Sequence, residues 1–138
     1  MQETIKHMIA QASECLENSY SPYSNFAVGA CIRTVDNKYF GGTNVENISY
    51  GLTVCAETSA ITQMVSQGYQ EIAEIVILSS QQTLCPPCGA CRQRILEFAS
   101  SQTVIHLCNT HEIFESFLAE TLLPNAFTPK SLEEIHHD

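Results

Sequence analysis

Three cysteines and one glutamate have the types and spacing of a catalytic metal site. Cys55 and Glu57 lie two residues apart, and Cys88 and Cys91 form a Cys-x-x-Cys pair directly after Pro87. A catalytic zinc ion normally takes three protein ligands and leaves its fourth tetrahedral position to water. We predict that the three cysteines bind one Zn²⁺ and that Glu57, which is not a ligand, moves protons at the attacking water.

Two helix starts are the elements that must position these groups. If Cys55 opens a helix, Glu57 lies in its first turn, where it reaches the water rather than the metal. Pro87 suits a position just outside or at the first turn of a second helix, which places Cys88 and Cys91 on one face. The partial positive charge of a helix N-terminus favours thiolates. We therefore expect two helix starts to converge on one cation.

Other interpretations of the cysteines explain less. A closed structural zinc site usually has a fourth protein ligand, and the spacing of Cys85 and Cys88, which is typical of redox dithiols, leaves Cys55 and Glu57 without a role. Cys15, Cys31, Cys85 and Cys108 are interpreted as small buried apolar residues. The five histidines show no ligand spacing with the cysteines.

Length and charge restrict the class of protein. We expect residues 1–138 to form a single domain, with the polar residues 131–138 as a tail. The formal net charge of −9 opposes binding to a nucleic acid polymer. No apolar run approaches the length of a membrane span, and the first residues lack the pattern of a signal peptide, so we expect a cytoplasmic protein in which metal binding prevails over disulfides.

The hydrophobic pattern predicts alternating helices and strands. Helical periodicity extends over residues 2–19, 55–67 and 89–99, and strand-like runs over residues 27–34, 39–44, 72–79 and 103–108. Asp36 and Asn37 lie between the first two runs and favour a hairpin. The alternation predicts an α/β layered fold in which the ligand-bearing helices pack against one sheet.

Four motifs together resemble the small homotetrameric cytidine deaminases of the three-cysteine zinc type. They are Cys55-Ala56-Glu57 with PCGACRQ at 87–93, and SPYSNFAVGA at 21–30, NVEN at 44–47 and LLPNAF at 122–127. The resemblance covers nearly the whole chain. It implies a three-layer α/β/α fold with a mixed five-stranded sheet and helices on both faces. It also implies a strand near 111–119, which we favour although the apolar residues there follow helical spacing.

The same resemblance implies hydrolytic deamination of cytidine and 2'-deoxycytidine in pyrimidine salvage. Phe26 is expected to pack on the pyrimidine, Asn44 and Glu46 to bind the ribose hydroxyls, and the backbone N–H of Ala56 to contact the base. Glu57 then carries protons to the ring and to the departing amine. In this family Phe127 and a tyrosine like Tyr50 reach the active site of a neighbouring subunit, which implies a homotetramer with shared sites.

One position departs from the family pattern. Thr58 follows the catalytic glutamate, where many three-cysteine relatives have an arginine that hydrogen-bonds the ligating sulfurs. Three thiolates on Zn²⁺ leave a formal charge of −1 that opposes ionisation of the bound water. We hypothesise that Arg92, which follows Cys91, and the helix N-termini compensate for the missing charge; the alternative is that Arg92 only anchors the helix surface.

Three rival functions remain open at this point. A deaminase of nucleoside analogues such as aminoacylated antibiotics shares the zinc motif but would not be expected to keep NVEN at 44–47. A zinc-stabilised binding module would hold the metal without acting on cytidine. A polynucleotide deaminase is opposed by the charge and by the lack of a basic patch with interleaved aromatic residues.

Overall fold

The computed structural model describes residues 2–130 and 132, and it has three layers around one mixed sheet. The strand order is β2-β1-β3-β4-β5, and only the β3–β4 pair is parallel. The α-helices are α1 (Glu3–Glu17), α2 (Ala56–Ser66) and α3 (Gly89–Glu97), and the strands are β1 (Val28–Thr34), β2 (Tyr39–Thr43), β3 (Ile72–Ser79), β4 (Ala99–Cys108) and β5 (Ile113–Leu118). Short 3-10 helices cover Tyr50–Leu52 and Ala119–Leu122.

Helix α1 covers one face of the sheet. Its buried residues recur at helical spacing, which gives the helix one apolar side. That side packs on residues of β1, β3 and β4 that point to the same face. The buried cluster consists of Ile5, Met8, Ile9, Ala12, Cys31, Val76, Leu78 and Cys108.

Helices α2 and α3 lie on the opposite face, over the larger buried cluster. The strands alternate, so Ala30 and Ile32 face these helices while Cys31 faces α1. Helices on both faces confirm the three-layer α/β/α fold with five strands. The buried members of this cluster are Ala30, Ile32, Phe40, Ala56, Ala60, Ile61, Met64, Ile72, Ile75, Ile77, Ile95, Ile105, Leu107 and Ala119.

Two glycines bring the helices close to the sheet. A Cβ at Gly29 would lie 2.0 Å from the carbonyl oxygen of Ala12 in α1. A Cβ at Gly42 would lie 2.4 Å from the amide nitrogen of Ala60 and 2.5 Å from the carbonyl oxygen of Ala56, both in α2. Neither separation is compatible with a side chain at these positions. Each glycine therefore fixes how closely one helical layer approaches the sheet.

Most expected elements are present, with shifted ends. The hairpin between β1 and β2 is confirmed, and Asn37 lies in its turn with φ of 61°. The strand expected near 111–119 is β5, which pairs antiparallel with β4. Helix α3 ends at Glu97, and β4 already begins at Ala99, four residues before the predicted start. The predicted tail at 131–138, apart from Leu132, lies outside the described residues.

Candidate active site

Both ligand-bearing loops leave the sheet at the same end of its strands. Gly29 pairs with Thr43 at the end of β2 and with Leu78 near the end of β3. The chain runs from β2 through residues 44–55 into α2, and from β3 through residues 80–88 into α3. Cys55 and Cys88 are the N-cap residues of α2 and α3. The two helix starts therefore converge, as the spacing predicts.

The sulfurs of Cys55, Cys88 and Cys91 all lie within 4.8 Å of one another. Zn–S bonds of 2.3 Å in a tetrahedron require sulfurs about 3.8 Å apart, so small movements bring this set onto one ion. All seven cysteines of the chain are free thiols. Among the described residues the cluster has three soft donors and no fourth protein ligand, which fits a zinc ion that keeps one position for a small molecule.

The protein shifts the pKa values of the three thiols in different directions. Burial raises the pKa of Cys55 and, more strongly, that of Cys91, which also lies near Glu57. Burial acts in the same direction on Cys88, but hydrogen bonds with Cys91 and Cys55 outweigh it and lower the pKa of Cys88. A divalent cation among the three sulfurs would offset the cost of ionising them.

Glu57 is held inside the protein beside this cluster. Its side chain is 5% exposed, and it lies in the first turn of α2, two residues after Cys55. Burial raises the pKa of its carboxyl group, although a hydrogen bond with Cys91 acts in the opposite direction. Among the residues that the structure describes, no ion pair involves Glu57. A buried carboxyl group without a cationic partner is suited to exchange protons.

A cavity of about 190 Å³ opens onto these groups. It adjoins a hollow of about 420 Å³, and Thr53 lines both. Cys85 also lines the cavity and, like Cys15, is only partly buried, so the interpretation of these two cysteines as buried apolar residues is wrong. Burial raises the pKa of Cys85 to about 11. The lining residues are Val28, Asn44, Thr53, Cys55, Ala56, Glu57, Cys85, Pro86 and Cys88.

Asn44 and Glu46 organise the loop before β1. Asn44 Oδ1 accepts hydrogen bonds from Ser19 Oγ at 2.6 Å and from the Val28 amide at 3.0 Å, and its Nδ2 donates to the Phe26 carbonyl at 2.8 Å. Glu46 accepts hydrogen bonds from the amide and the hydroxyl of Ser24, and the hydroxyl bond is the first cause of its lowered pKa.

The remaining expected substrate contacts lie at different depths. Ala56 is buried in the cavity wall and begins α2, where the helix leaves its N–H without an intrahelical partner. Phe26 is partly buried. Tyr50 is 73% exposed on the rim of the hollow. Phe127 is 61% exposed and lines a separate cavity beside α3. The structure thus groups Ala56 with the metal cluster and places Phe127 elsewhere.

Thr58 lies beside a ligand sulfur, whereas Arg92 bonds two backbone carbonyls. The hydroxyl of Thr58 lies 3.9 Å from the Cys91 sulfur. Arg92 instead donates from Nε to the Pro87 carbonyl at 2.8 Å and from Nη1 to the Leu122 carbonyl at 3.0 Å. The residue that departs from the family pattern is therefore the one beside the ligand sulfur. Charge compensation by Arg92 stays a prediction.

The fold and the site together define a class of protein, a zinc hydrolase with a three-cysteine metal site. The family model for the cytidine and deoxycytidylate deaminase zinc-binding region matches residues 2–107. The chain belongs to this deaminase family.

Individual relatives agree over most of their length. The chain is 36% identical over 127 residues to a cytidine deaminase of Halalkalibacterium halodurans, which covers 92% of this chain and 96% of the relative. It is 39% identical over 132 residues to a probable cytidine deaminase of Dictyostelium discoideum, covering 95% and 88%. The crystal structure of cytidine deaminase from Burkholderia pseudomallei has a TM-score of 0.83 at 38% identity and covers 92% of this chain and all of that one.

Proposed function

We propose that this protein is a zinc-dependent cytidine deaminase that hydrolyses cytidine and 2'-deoxycytidine to the corresponding uridines and ammonia. The observation that carries the proposal is the group of three sulfurs within 4.8 Å of one another, with the buried Glu57 in the same cavity. Family membership and the relatives named cytidine deaminase support the substrate. We assign one Zn²⁺ per chain to Cys55, Cys88 and Cys91.

Glu57 is the proton carrier of the proposed reaction. When bound, Zn²⁺ supplies Lewis acidity, which lowers the pKa of water from 15.7 toward about 7. Glu57 takes the proton of the attacking water and delivers it to ring nitrogen N3 while oxygen adds at C4. Glu57 then takes the proton of the new C4 hydroxyl group and gives it to the exocyclic amine, so the C4 carbonyl forms as the C4–N bond breaks and ammonia leaves. A single carboxyl group serves both transfers because it lies beside the metal cluster without being a ligand.

The substrate is held by the walls and rim of the cavity. The Ala56 N–H contacts the base, and Phe26 packs on the pyrimidine. Asn44 and Glu46 bind the ribose hydroxyls; Asn44 lines the cavity and Glu46 lines the adjoining hollow. A carboxylate and an amide together accept from and donate to a pair of hydroxyls, which favours nucleosides over free bases. The loop contacts of both side chains hold them in place for this task.

We assign the active form to a homotetramer whose sites are shared between subunits. Large apolar side chains are exposed on the loop that leads to Cys55 and at Phe127, which supports a subunit interface. Phe127 lines a cavity separate from that of its own cysteines, in keeping with a contribution to a neighbouring subunit. The exposed side chains are Ile48, Tyr50, Leu52 and Phe127.

We place the enzyme in pyrimidine salvage in the cytoplasm. No helix among the described residues is long and apolar enough to cross a membrane. The free thiols support a reducing compartment. The charge of −9 supports a small nucleoside rather than a polynucleotide as substrate.

One assay tests the function directly. Purified protein is mixed with cytidine, and the loss of its ultraviolet absorbance is followed before chelation, after chelation and after zinc is restored, with metal content measured on the same samples. We expect turnover to disappear with the metal and to return with it. Bound zinc without turnover of cytidine or deoxycytidine would contradict the proposal and favour a zinc-stabilised binding module.

Mixing two defective variants tests the shared sites. Glu57→Gln removes the proton carrier and Phe127→Ala removes the aromatic side chain. If each site combines Glu57 of one subunit with Phe127 of another, mixed tetramers contain some intact sites and regain activity. Additive activity after subunit exchange would contradict the sharing, and a monomeric mass in light scattering would contradict the tetramer.

A further inference from the structure

Two adjacent side chains of α3 bond to the metal-binding turn at residues 85–88 and to the segment at residues 122–127. Arg92 follows the ligand Cys91, and its Nε donates to the carbonyl of Pro87, the residue before the ligand Cys88. Its Nη1 donates to the carbonyl of Leu122. One guanidinium group therefore bridges the residue before the ligand Cys88 and the end of the 3-10 helix at Ala119–Leu122.

Gln93 extends this connection to Phe127. Its Nε2 donates to the Phe127 carbonyl at 2.8 Å. A cavity of about 630 Å³ separates α3 from the segment between the Leu122 and Phe127 carbonyls. The segment is therefore not closely packed on the helix there. Phe127 itself is 61% exposed. A segment with few packed neighbours depends strongly on individual hydrogen bonds for its position.

We propose that Arg92 and Gln93 are positioning residues that couple the metal-binding turn to the segment 122–127 and thereby set the place of Phe127. The role of Phe127 in substrate binding rests on the proposed function. The coupling itself rests on the three hydrogen bonds. When the turn that carries Cys88 is not held by a metal, the Pro87 carbonyl moves, Arg92 loses its fixed orientation, and the hold on Leu122 weakens with it.

The two-way contact requires the shape of arginine rather than its charge. The guanidinium presents several N–H donors in a planar fork, so it reaches two carbonyls in different directions at fixed angles. Lysine has the same charge but no such fork. Arg92→Lys therefore separates the proposed coupling from the charge compensation hypothesised above: the first is lost in this variant and the second is retained.

Amide hydrogen exchange with mass spectrometry of the zinc-loaded full chain tests the proposal. Losing one net hydrogen bond corresponds to about a two- to tenfold change in an opening equilibrium. We expect Gln93→Met and Arg92→Lys each to accelerate exchange in the peptide covering 122–127 by about that factor. Arg94→Gln, an exposed position on the same helix, is the matched control and leaves exchange unchanged. Unaltered exchange in α1 shows that a variant is folded.

Zinc removal tests the coupling in the other direction. In the unmodified protein, chelation is expected to accelerate exchange of the 122–127 peptide together with that of 85–88. In Arg92→Lys the 122–127 peptide already exchanges fast, so chelation changes it little. An Arg92→Lys protein that exchanges like the unmodified one, or chelation that affects 85–88 alone, would overturn the proposal.

Kinetics link the coupling to the reaction. Gln93→Met is expected to raise KM for cytidine by about two- to tenfold with a much smaller change in kcat, because the acid-base group is untouched. An equal fall in kcat with unchanged KM would overturn the positioning role. The exchange measurement uses no nucleoside, so the coupling and the deaminase function fail independently.

Discussion

Two acidic side chains on opposite faces of the sheet have opposite environments. Glu74, on the face of α1, lies 2.7 Å from Arg33 Nε and 2.8 Å from His106 Nε2, and the hydrogen bond with His106 is the first cause of its lowered pKa. Glu57, in the first turn of α2, is more deeply buried, and burial raises its pKa. Both carboxyl groups belong to regular elements of the same small domain.

The difference shows how the fold separates stability from chemistry. The partners of Glu74 lie on the neighbouring strands β1 and β4. His106 also bonds Ser116 of β5 at 2.7 Å, so Glu74 and His106 together link four strands. These hydrogen bonds favour the ionised form of the Glu74 carboxyl group, so it is poorly suited to exchange protons. Glu57 has the buried environment that favours proton exchange. Each residue should therefore be expendable for the other's task.

Glu57→Gln should have the largest effect and should act on catalysis alone. The amide keeps the size of the side chain but does not transfer protons, so kcat is expected to fall by about 10² to 10⁴. Zinc content should stay at one per chain, and the free energy of unfolding should not decrease, because a buried carboxyl group is replaced by a neutral one. Turnover near that of the unmodified enzyme would remove Glu57 from the mechanism.

Glu74→Gln should give the reverse pattern. The loss of charge-assisted hydrogen bonds to Arg33 and His106 is expected to lower the free energy of unfolding by about 1–3 kcal/mol. Urea denaturation measures this change, and kcat should be that of the unmodified enzyme. Glu71→Gln, an exposed position near the start of β3, is the matched control. A stable Glu74→Gln protein with reduced turnover would abolish the contrast between the two faces.

Acid should remove the contribution of Glu74 selectively. Because its pKa is lowered in the folded state, with Arg33 and His106 facing it, its stabilisation is complete above the unfolded carboxyl value of about 4.3 and is lost as the pH falls through the folded value. The stability difference between the unmodified protein and Glu74→Gln should thus be constant near neutrality and shrink below about pH 4. A difference that grows on acidification would show that the sign is wrong.

Thr58→Val should have the smallest effect, and it should act on the retention of zinc. It removes the hydroxyl near the Cys91 sulfur while keeping the shape of the side chain, so zinc transfer to a chromogenic chelator is expected to accelerate by about two- to tenfold. Thr58→Ser retains the hydroxyl and should transfer zinc at the original rate. Identical rates in all three proteins would mean that the hydroxyl does not support the ligand.

The ligand set and most elements could be predicted because their signals are local. Cys55, Glu57 and the Cys88–Cys91 pair lie within single helical turns, and α1 and β3 have clear periodicity along the chain. The interactions that were not predicted join distant segments. His106 was assigned no role, yet it bonds Glu74 across 32 positions, and Gln93 bonds Phe127 across 34. A polar residue in a sequence does not indicate which remote carbonyl or carboxylate it will meet.

Helix periodicity also competed with strand pairing at one place. Ile113, Phe114, Phe117 and Leu118 have the spacing of a helix, but β4 offers an open edge beside them. Pairing with β4 satisfies the backbone of this segment and places Phe117 against the larger core. The arrangement of the other strands determines the secondary structure of this segment, and the local sequence does not reveal that arrangement.

Gly42 has a consequence for engineering the metal site. Because the backbone of α2 rests directly on this glycine, any larger residue would lift the N-terminal half of the helix, and Cys55 with it, away from the partners supplied by α3. The spacing of the three ligands therefore depends on a strand residue that does not line the cavity. A designer who moves the three thiols to another scaffold also needs a glycine at the position equivalent to Gly42.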